Sequence, residues 1–235
     1  MFNNKLSTIE FLEKNNFNHP RTFAIKKNIK NKNDIKLKFP FYLKDTHGTS
    51  SKNVFLINSF QELRENIKKI KNPLIQETLG KKYDVNKFHD EFTCSVFYKK
   101  NGQILGPFLS ERILKHGTSW VLRTVKNDNL KKYIVSVSKK IKGTGSVNFQ
   151  LKRHKKKFYI FEINPRFSGT TFSRAIFNFN EPEMFIENYF FNKMINKVNY
   201  KQGSSYRYFE DIFIIKNSKE KTEFNQNSNL LQSKK

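Results

Sequence analysis

The feature that most restricts the fold is a pair of alternating segments near the middle of the chain. Residues Val147–Leu151 alternate apolar and polar side chains, a basic stretch Lys152–Lys157 follows, and Phe158–Asn164 resumes the alternation. Side chains two residues apart on a strand project from the same face, so this pattern predicts strands with one apolar and one polar face. Two such segments joined by a short turn predict a β-hairpin in an antiparallel sheet.

The polar face of this hairpin carries oxygen-bearing side chains. Glu162, Asn164 and Arg166 alternate along the second strand, and antiparallel pairing can bring Asn148 and Gln150 to the same face. Magnesium prefers oxygen ligands and usually takes only one or two protein carboxylates, so Gln150, Glu162 and Asn164 form a candidate metal set. Arg166 could then balance phosphate charge. The alternative is a solvent-facing polar strand that ends in an Asn-Pro turn, and this alternative is favoured for an isolated Glu-x-Asn-x-Arg pattern.

The composition is that of a folded chain with a sizeable core. The chain has 235 residues, 37% of them hydrophobic, with 25 Phe, enough for one domain or two closely coupled subdomains. No apolar run reaches the roughly 18 to 20 residues that span a bilayer, and the N-terminus lacks the apolar region of a signal peptide. We therefore expect a cytoplasmic protein without a membrane partner. The single cysteine, Cys94, is predicted to be a core residue.

The net charge of +25 has two explanations. A large basic excess favours binding to nucleic acid through its phosphates. However, the chain is rich in Lys, Asn, Ile and Phe together, whose codons are rich in A and T, and its basic residues are spread without a nucleic-acid-binding motif. We therefore prefer the compositional explanation and expect nucleic acid not to be a partner.

The rest of the chain alternates between helix and strand signals. Capping-box patterns at Ser7–Glu10 and Ser59–Glu62 predict two helix starts. A strand that ends at Lys44 is followed by a loop of small residues, a pattern that can turn backbone N–H groups toward phosphates. Further helices are predicted from about residues 128 and 180, and strands near 74–77, 92–98, 104–109, 120–125 and 206–215.

Together these pieces resemble the ATP-grasp superfamily of carboxylate–amine ligases. Within that superfamily the chain most resembles the nucleotide-binding half of the carbamoyl-phosphate synthase large chain. The resemblance covers about residues 5 to 215. Its most specific motif is Asn148-x-Gln150 together with Glu162–Arg166. Gln76-Glu77 and Asp90–Thr93 are moderately specific.

The resemblance implies an α+β fold, the ATP-grasp fold, in which two α+β subdomains with antiparallel sheets sandwich ATP. The implied division is a small N-terminal subdomain with the glycine/serine loop over residues 1–78, a larger subdomain with the magnesium-binding hairpin over 79–215, and a disordered tail over 216–235.

The resemblance also implies a role for particular residues, motif by motif. Lys5 and Lys44 would contact phosphates, and Gln76, Glu77, Thr78 and Leu79 would form the hinge that contacts adenine. Glu91 would contact the ribose, and Gln150, Glu162 and Asn164 would bind the metal. Arg166 would stabilise the transferred phosphoryl group, and His116 with Gly117 would make a further phosphate or substrate contact.

The implied chemistry is ATP-dependent ligation. A carboxylate attacks the γ-phosphate of ATP, and an amine or other nucleophile captures the resulting acyl phosphate, with ATP and Mg²⁺ as cofactors and Mn²⁺ as a substitute. The carboxylate and amine substrates are unknown. A non-catalytic ATP-binding regulatory module is the first alternative, and a basic nucleic-acid-binding protein is the less favoured second one.

Several features depart from the family pattern. Asp45 stands where proline is frequent, Ser50, Ser51 and Asn53 stand where glycines are common, and an insertion-like stretch, residues 81–89, separates the hinge from the ribose contact. The sequence also begins at the family's first basic contact, without the preceding α/β domain. This predicts a partner subunit that supplies that domain, or a truncated or degenerate ligase.

Arg174 lies just beyond the metal-binding segment. It could bind a substrate carboxylate, but the preferred interpretation is a surface arginine.

Overall fold

The computed structural model describes residues 2, 4–48, 53–80, 87–115 and 117–208, together with the backbone of 211–215, 222–225 and 230–233. The helices in these parts are α1 (Lys5–Lys14), α2 (Phe60–Asn66), α3 (Asp128–Ser138), α4 (Thr171–Ile176) and α5 (Glu181–Phe185). The strands are β1 (Thr22–Ala24), β2 (Phe41–Asp45), β3 (Phe55–Ile57), β4 (Pro73–Glu77), β5 (Glu91–Tyr98), β6 (Ile104–Lys115), β7 (Thr118–Thr124), β8 (Gly145–His154), β9 (Lys157–Asn164), β10 (Gly203–Arg207), β11 (Asp211–Ile215), β12 (Thr222–Asn225) and β13 (Leu230–Ser233).

The first sheet is small and antiparallel, with strand order β1-β4-β2-β3. Helix α2 packs against it, because Leu63 and the following residues Ile67 and Ile70 point at Phe41 and Leu43 of β2 in one buried cluster. Ser59 begins α2 as predicted, since its hydroxyl accepts a hydrogen bond from the backbone N–H of Glu62 at 3.2 Å. The small sheet therefore has its own core.

The second sheet has seven strands in the order β11-β10-β7-β6-β5-β8-β9. Its central strands have two different faces, as period-2 alternation requires. One face is apolar and packs against α1 and α3, whose Ile9, Leu12 and Ile134 join Cys94 and Phe149 in the largest core cluster. The opposite face has two parts. Glu91, Arg112 and Gln150 line the cleft described below, whereas Phe97 and Phe108 pack with Phe177, Phe179 and Met184 in a third buried cluster.

The pairing of β8 with β9 places the predicted polar residues opposite one another. Gln150 lies opposite Glu162, and Asn148 lies opposite Asn164. Mixed helices and strands with two main antiparallel sheets confirm the predicted fold class.

Four details differ from the sequence prediction or extend it. The helix start predicted at Ser7 was wrong, because α1 begins at Lys5 and its N-cap is Asn4, whose side chain accepts hydrogen bonds from the backbone N–H groups of Leu6 and Ser7. The segment predicted as one strand, residues 206–215, contains parts of two strands, β10 and β11, which pair with each other. Helix α5 ends at Phe185 and continues as a π-helical turn, Ile186–Phe190, within the range predicted as one helix. Strands β12 and β13 pair within the stretch predicted to be a disordered tail.

Helix α1 belongs by sequence to the predicted small subdomain, but its apolar residues pack on the large sheet. Lys5 nevertheless ties the start of α1 to the end of β2, because its backbone N–H donates to the carbonyl of Thr46 at 3.0 Å. The division of the chain at residue 78 stays a prediction.

Cys94 is fully buried in the largest core cluster, as predicted. Burial raises the pKa of its thiol to about 12. Such a thiol carries almost no thiolate near neutral pH, which agrees with a packing role. Among the described residues, no helix has both the length and the apolar character needed to cross a bilayer.

Candidate functional site

A cavity of about 590 Å³ lies between the two sheets. The small sheet contributes the ends of β2 and β4, and the large sheet contributes its polar face. Predicted site residues that line this cavity are Lys5, Lys44, Gln76, Glu77, Leu79, Glu91, Gln150 and Glu162. Residues far apart in the sequence, assigned separately to phosphate, adenine, ribose and metal contacts, therefore surround one space.

His116 lies outside the described residues, whereas Gly117, which was predicted with it, lines the cavity. Among the described residues of the predicted set, Thr78, Asn164 and Arg166 do not line it. Thr78 donates from its hydroxyl to the carbonyl of Pro40 at 3.1 Å. Arg166 is exposed beyond the end of β9, where it donates to the carbonyl of Phe167 at 2.9 Å.

Asn164 is buried next to the cavity wall rather than on it. Only 8% of the residue is exposed, and its Nδ2 has no hydrogen-bond partner among the described residues. A buried amide without a partner is costly unless a further group satisfies it. Asn164 is therefore the member of the predicted metal set with an unsatisfied hydrogen-bond donor, its Nδ2, among the described residues.

Lys44 is the central cation of the cavity. Its ammonium donates to Gln76 Oε1 at 2.6 Å and lies 5.1 Å from the ring centre of Tyr42 and 5.6 Å from that of Phe161. Burial lowers the pKa of Lys44 to about 8, against the opposing attraction of the Glu162 carboxylate. Such an ammonium is poorly solvated and would gain from an anionic ligand.

Lys5 approaches the same cavity from the start of α1. Its ammonium donates to the carbonyl of Gly48, in the loop that follows β2. Burial lowers the pKa of Lys5 as well, while Glu162 and Asp45 act in the opposite direction. The two lysines and Glu162 thus line the same cavity and interact electrostatically there.

Asp45, which departs from the family's frequent proline, organises the first turn of the loop. Its carboxylate accepts hydrogen bonds from the backbone N–H groups of His47 at 2.9 Å, Lys71 at 3.2 Å and Asn72 at 3.3 Å. Burial alone would raise the pKa of Asp45, but these donors outweigh it and hold the pKa below its ordinary value. The loop residues Ser50 and Ser51 lie outside the described residues.

The chemistry of the metal set fits magnesium. Gln150 and Glu162 place an amide and a carboxylate side by side on the cavity wall, and Asn164 adds a second amide next to them. No cluster of three His, Cys, Asp or Glu side chains that could hold a metal occurs among the described residues. A bound ion would therefore depend on one carboxylate, amide oxygens and the oxygens of a phosphate ligand, which is a common way for proteins to hold Mg²⁺.

Sequence reasoning missed Arg112 on β6. Its buried guanidinium donates to Glu91 Oε1 at 2.8 Å and to Gln150 Oε1 at 2.9 Å, so it joins two predicted site residues. The available signal was a pair of opposite charges, Glu111 and Arg112, between the apolar residues Leu109 and Ile113 of a strand pattern.

The interpretation of Arg174 as a surface arginine was wrong. The residue is fully buried and forms an ion pair with Glu181 at 3.2 Å, and it also donates to Thr93 and Asn148. Glu181 in turn accepts a hydrogen bond from Ser95. A fully buried guanidinium cannot bind a substrate directly, so Arg174 holds α4 and α5 against the polar face of the large sheet.

Comparison with known proteins agrees with this geometry. Residues 108–212 match the model of a family described as ATP-grasp in the biosynthetic pathway with Ter operon. No curated protein sequence matches the chain.

Several solved structures are similar to the chain in fold. N5-carboxyaminoimidazole synthetase from Staphylococcus aureus, complexed with ADP, is 16% identical over 88% of this chain and 56% of that chain, with a TM-score of 0.71. Biotin carboxylase from Campylobacter jejuni is 12% identical over 87% of this chain and 50% of that one, with a TM-score of 0.69. L-amino acid ligase from Bacillus licheniformis is 17% identical over 87% and 52%, with a TM-score of 0.66. The chain spans about half the length of these proteins.

The fold of two antiparallel sheets around a cleft is that of the ATP-grasp superfamily, and the predicted resemblance to that superfamily is confirmed. The particular family matched over residues 108–212 is the one linked to the Ter operon. The closer likeness to the carbamoyl-phosphate synthase large chain stays a prediction.

Proposed function

We propose that the chain is the ATP- and magnesium-dependent module of a ligase that activates a carboxylate as an acyl phosphate. The observation that carries this proposal is the cavity in which two lysines, Lys5 and Lys44, face Glu162 and Gln150 across the gap between the sheets. Cations and metal-binding oxygens at one end of a cleft suit a polyphosphate with its magnesium ion.

Other residues of the same cavity suit the nucleoside. The hinge residues Glu77 and Leu79 line it, and so does Glu91 on the large sheet. Glu77 is held by Arg21, whose backbone N–H and Nε both donate to its carboxylate, at 2.8 and 2.7 Å. This contact ties the hinge to the residue just before β1.

The reaction requires positioning and charge neutralisation from the chain. A carboxylate oxygen of the substrate attacks the γ-phosphorus of ATP, and the bond to the β-phosphate oxygen breaks as ADP leaves. An amine then attacks the acyl carbon, phosphate departs, and the amine nitrogen loses a proton. Lys5 and Lys44 would neutralise phosphate charge, and Arg166 would stabilise the transferred phosphoryl group. The loop at Gly48 would close over the phosphates. Bound magnesium would polarise the phosphate oxygens, held by Glu162 with Gln150 and Asn164.

Trapping the intermediate tests this proposal. The purified chain is incubated with ATP, Mg²⁺ and a panel of carboxylic acids in the presence of hydroxylamine, which converts an acyl phosphate to a hydroxamate. We expect hydroxamate and ADP in equal amounts with at least one acid. ADP without hydroxamate would indicate plain hydrolysis, and nucleotide binding with neither product would favour the non-catalytic regulatory module. The predicted need for a partner subunit is tested by whether the chain turns over ATP alone.

The lowered pKa of Lys44 predicts that ATP affinity depends on pH. Below pH 8 Lys44 is cationic and attracts the phosphates, whereas above pH 8 it loses its proton and that attraction. We therefore expect affinity to fall by up to about tenfold between pH 8 and 9, with proton uptake on binding. Calorimetric titrations in buffers of different ionisation enthalpy measure both quantities.

Lys44→Arg is the matched variant for this measurement. Arginine keeps its charge throughout this pH range, so the variant should bind ATP with a flatter pH profile and little proton uptake. An unchanged profile in Lys44→Arg would show that another group titrates.

A further inference from the structure

We propose that Arg112 is a positioning residue for both ATP and its metal ion. Its guanidinium holds two side chains in place: the carboxylate of Glu91, the proposed ribose contact, and the amide of Gln150, a proposed metal ligand. The inference rests on the proposed function, because it assigns Arg112 a role in binding ATP and its metal ion.

The geometry places Arg112 between the two residues. Its Nε and Nη2 donate to the same oxygen of Glu91, Oε1, at 3.0 and 2.8 Å. Nη2 also donates to Gln150 Oε1 at 2.9 Å. The three residues come from β6, β5 and β8, which are neighbours in the large sheet, and all three line the cavity. The Arg112 and Glu91 side chains are only 8% and 11% exposed, so little water competes for these contacts.

The contact with Gln150 determines which amide atom points toward Arg112. A guanidinium has only donors, so the facing atom of Gln150 has to be its oxygen. A carbonyl oxygen has two lone pairs, and Oε1 can therefore accept from Arg112 and still coordinate a metal ion. Without Arg112 the amide is free to turn and present its NH₂ group, which cannot bind a cation.

The contact with Glu91 has a corresponding effect. Both donors of Arg112 go to Oε1, so Arg112 leaves Oε2 for a ligand. Carboxylate oxygens accept hydrogen bonds from hydroxyl groups, so a fixed Oε2 can discriminate ribose from deoxyribose. The planar fork of arginine can hold both acceptors at once, whereas a lysine ammonium offers one compact charge in no fixed plane.

Two binding measurements on each variant test the inference. The first is the ratio of the dissociation constants for 2′-deoxy-ADP and ADP, which reports recognition of the ribose hydroxyl. The second is the affinity of the ADP complex for Mn²⁺, measured by the paramagnetic resonance of free Mn²⁺. In Arg112→Gln we expect the ratio of the two dissociation constants to fall about tenfold, toward one. We expect Mn²⁺ affinity to fall about tenfold as well, because loss of a hydrogen bond to a charged group has an effect of this size.

Single-site variants give the reference pattern. Glu91→Gln should change mainly the sugar ratio, and Gln150→Ala mainly the Mn²⁺ affinity, whereas Arg112→Gln should change both. Arg153→Gln is the matched control, because Arg153 also pairs with a carboxylate, Asp90, at 2.6 Å but does not line the cavity. It should leave both quantities unchanged.

Arg112→Lys covers the case in which Arg112→Gln does not fold. It keeps a positive charge beside Glu91 but loses the fork, so Mn²⁺ affinity should still fall by about tenfold. A purely structural salt bridge would lower the thermal midpoint and leave both binding quantities within twofold of wild type, which would overturn the inference. A wild-type chain that binds neither ADP nor Mn²⁺·ADP would overturn the proposed function together with it.

Discussion

Glu162→Gln is expected to abolish magnesium-dependent ATP turnover while leaving the fold intact. Glutamine has nearly the same shape but no charge, and Glu162 is the carboxylate of the metal set, next to Gln150 across the hairpin. Loss of the charge that anchors the metal should lower phosphate release by about a hundredfold or more. Phosphate release at saturating ATP measures the effect, and circular dichroism checks that the fold persists.

Glu65→Gln is the control for this change. Glu65 is an exposed carboxylate on α2 that accepts a hydrogen bond from Gln61 at 3.1 Å, and it does not line the cavity. It should retain wild-type turnover. Turnover in Glu162→Gln equal to that of the control would contradict the assignment of the metal set.

Arg174→Met is expected to cause the largest loss of stability of any single change considered for this chain. It leaves the fully buried Glu181 carboxylate without its cation and removes a donor from Thr93 and from Asn148. Breaking a buried ion pair by removing one partner typically costs about 3 to 5 kcal/mol of unfolding free energy. Urea unfolding followed by circular dichroism measures this quantity.

Two further variants identify the cause of that loss. Arg153→Met removes an ion pair whose side chains are 45% and 44% exposed, and should cost less than about 1 kcal/mol. In the double variant Arg174→Met/Glu181→Gln no unpaired charge remains buried, so it should be less destabilised than the sum of its single changes. A loss in Arg174→Met no larger than that in Arg153→Met would contradict the structural role given to the pair.

The part of the site that the sequence predicted is local in origin. The common face of Gln150 and Glu162 follows from alternation around each residue. The register shift between Gln150 and Leu151, which puts both Ile160 and Ile163 in the core, was not predicted. The helix starts at Ser59 and near residue 128 are equally local, since the capping side chain accepts a hydrogen bond from a backbone N–H three residues later.

The parts that the sequence did not predict depend on partners distant in the chain. The burial of Arg174 requires Glu181 on the next helix and Asn148 on β8, and an arginine without visible partners is normally placed at the surface. Arg112 likewise gains its role from Glu91 and Gln150 on neighbouring strands. Neither set of contacts leaves a periodic signal.

The missed strand break has a different reason. The sequence from Tyr206 to Ile215 contains no Gly, Pro or Asn, and its single Asp, Asp211, is a weak turn signal. The alternation therefore predicted one strand, whereas β10 and β11 pair with each other in register from Gly203 opposite Ile215.

The most direct test of the central claim, that the cleft binds ATP with magnesium, is a calorimetric titration of the chain with the non-hydrolysable analogue AMP-PNP in the presence of Mg²⁺. We predict one site per chain with a dissociation constant between about 1 µM and 1 mM, the usual range for enzyme substrates. We also predict markedly weaker binding when Mg²⁺ is removed or Lys44 is replaced by Met. Absence of saturable binding, or binding that neither change affects, would contradict the account.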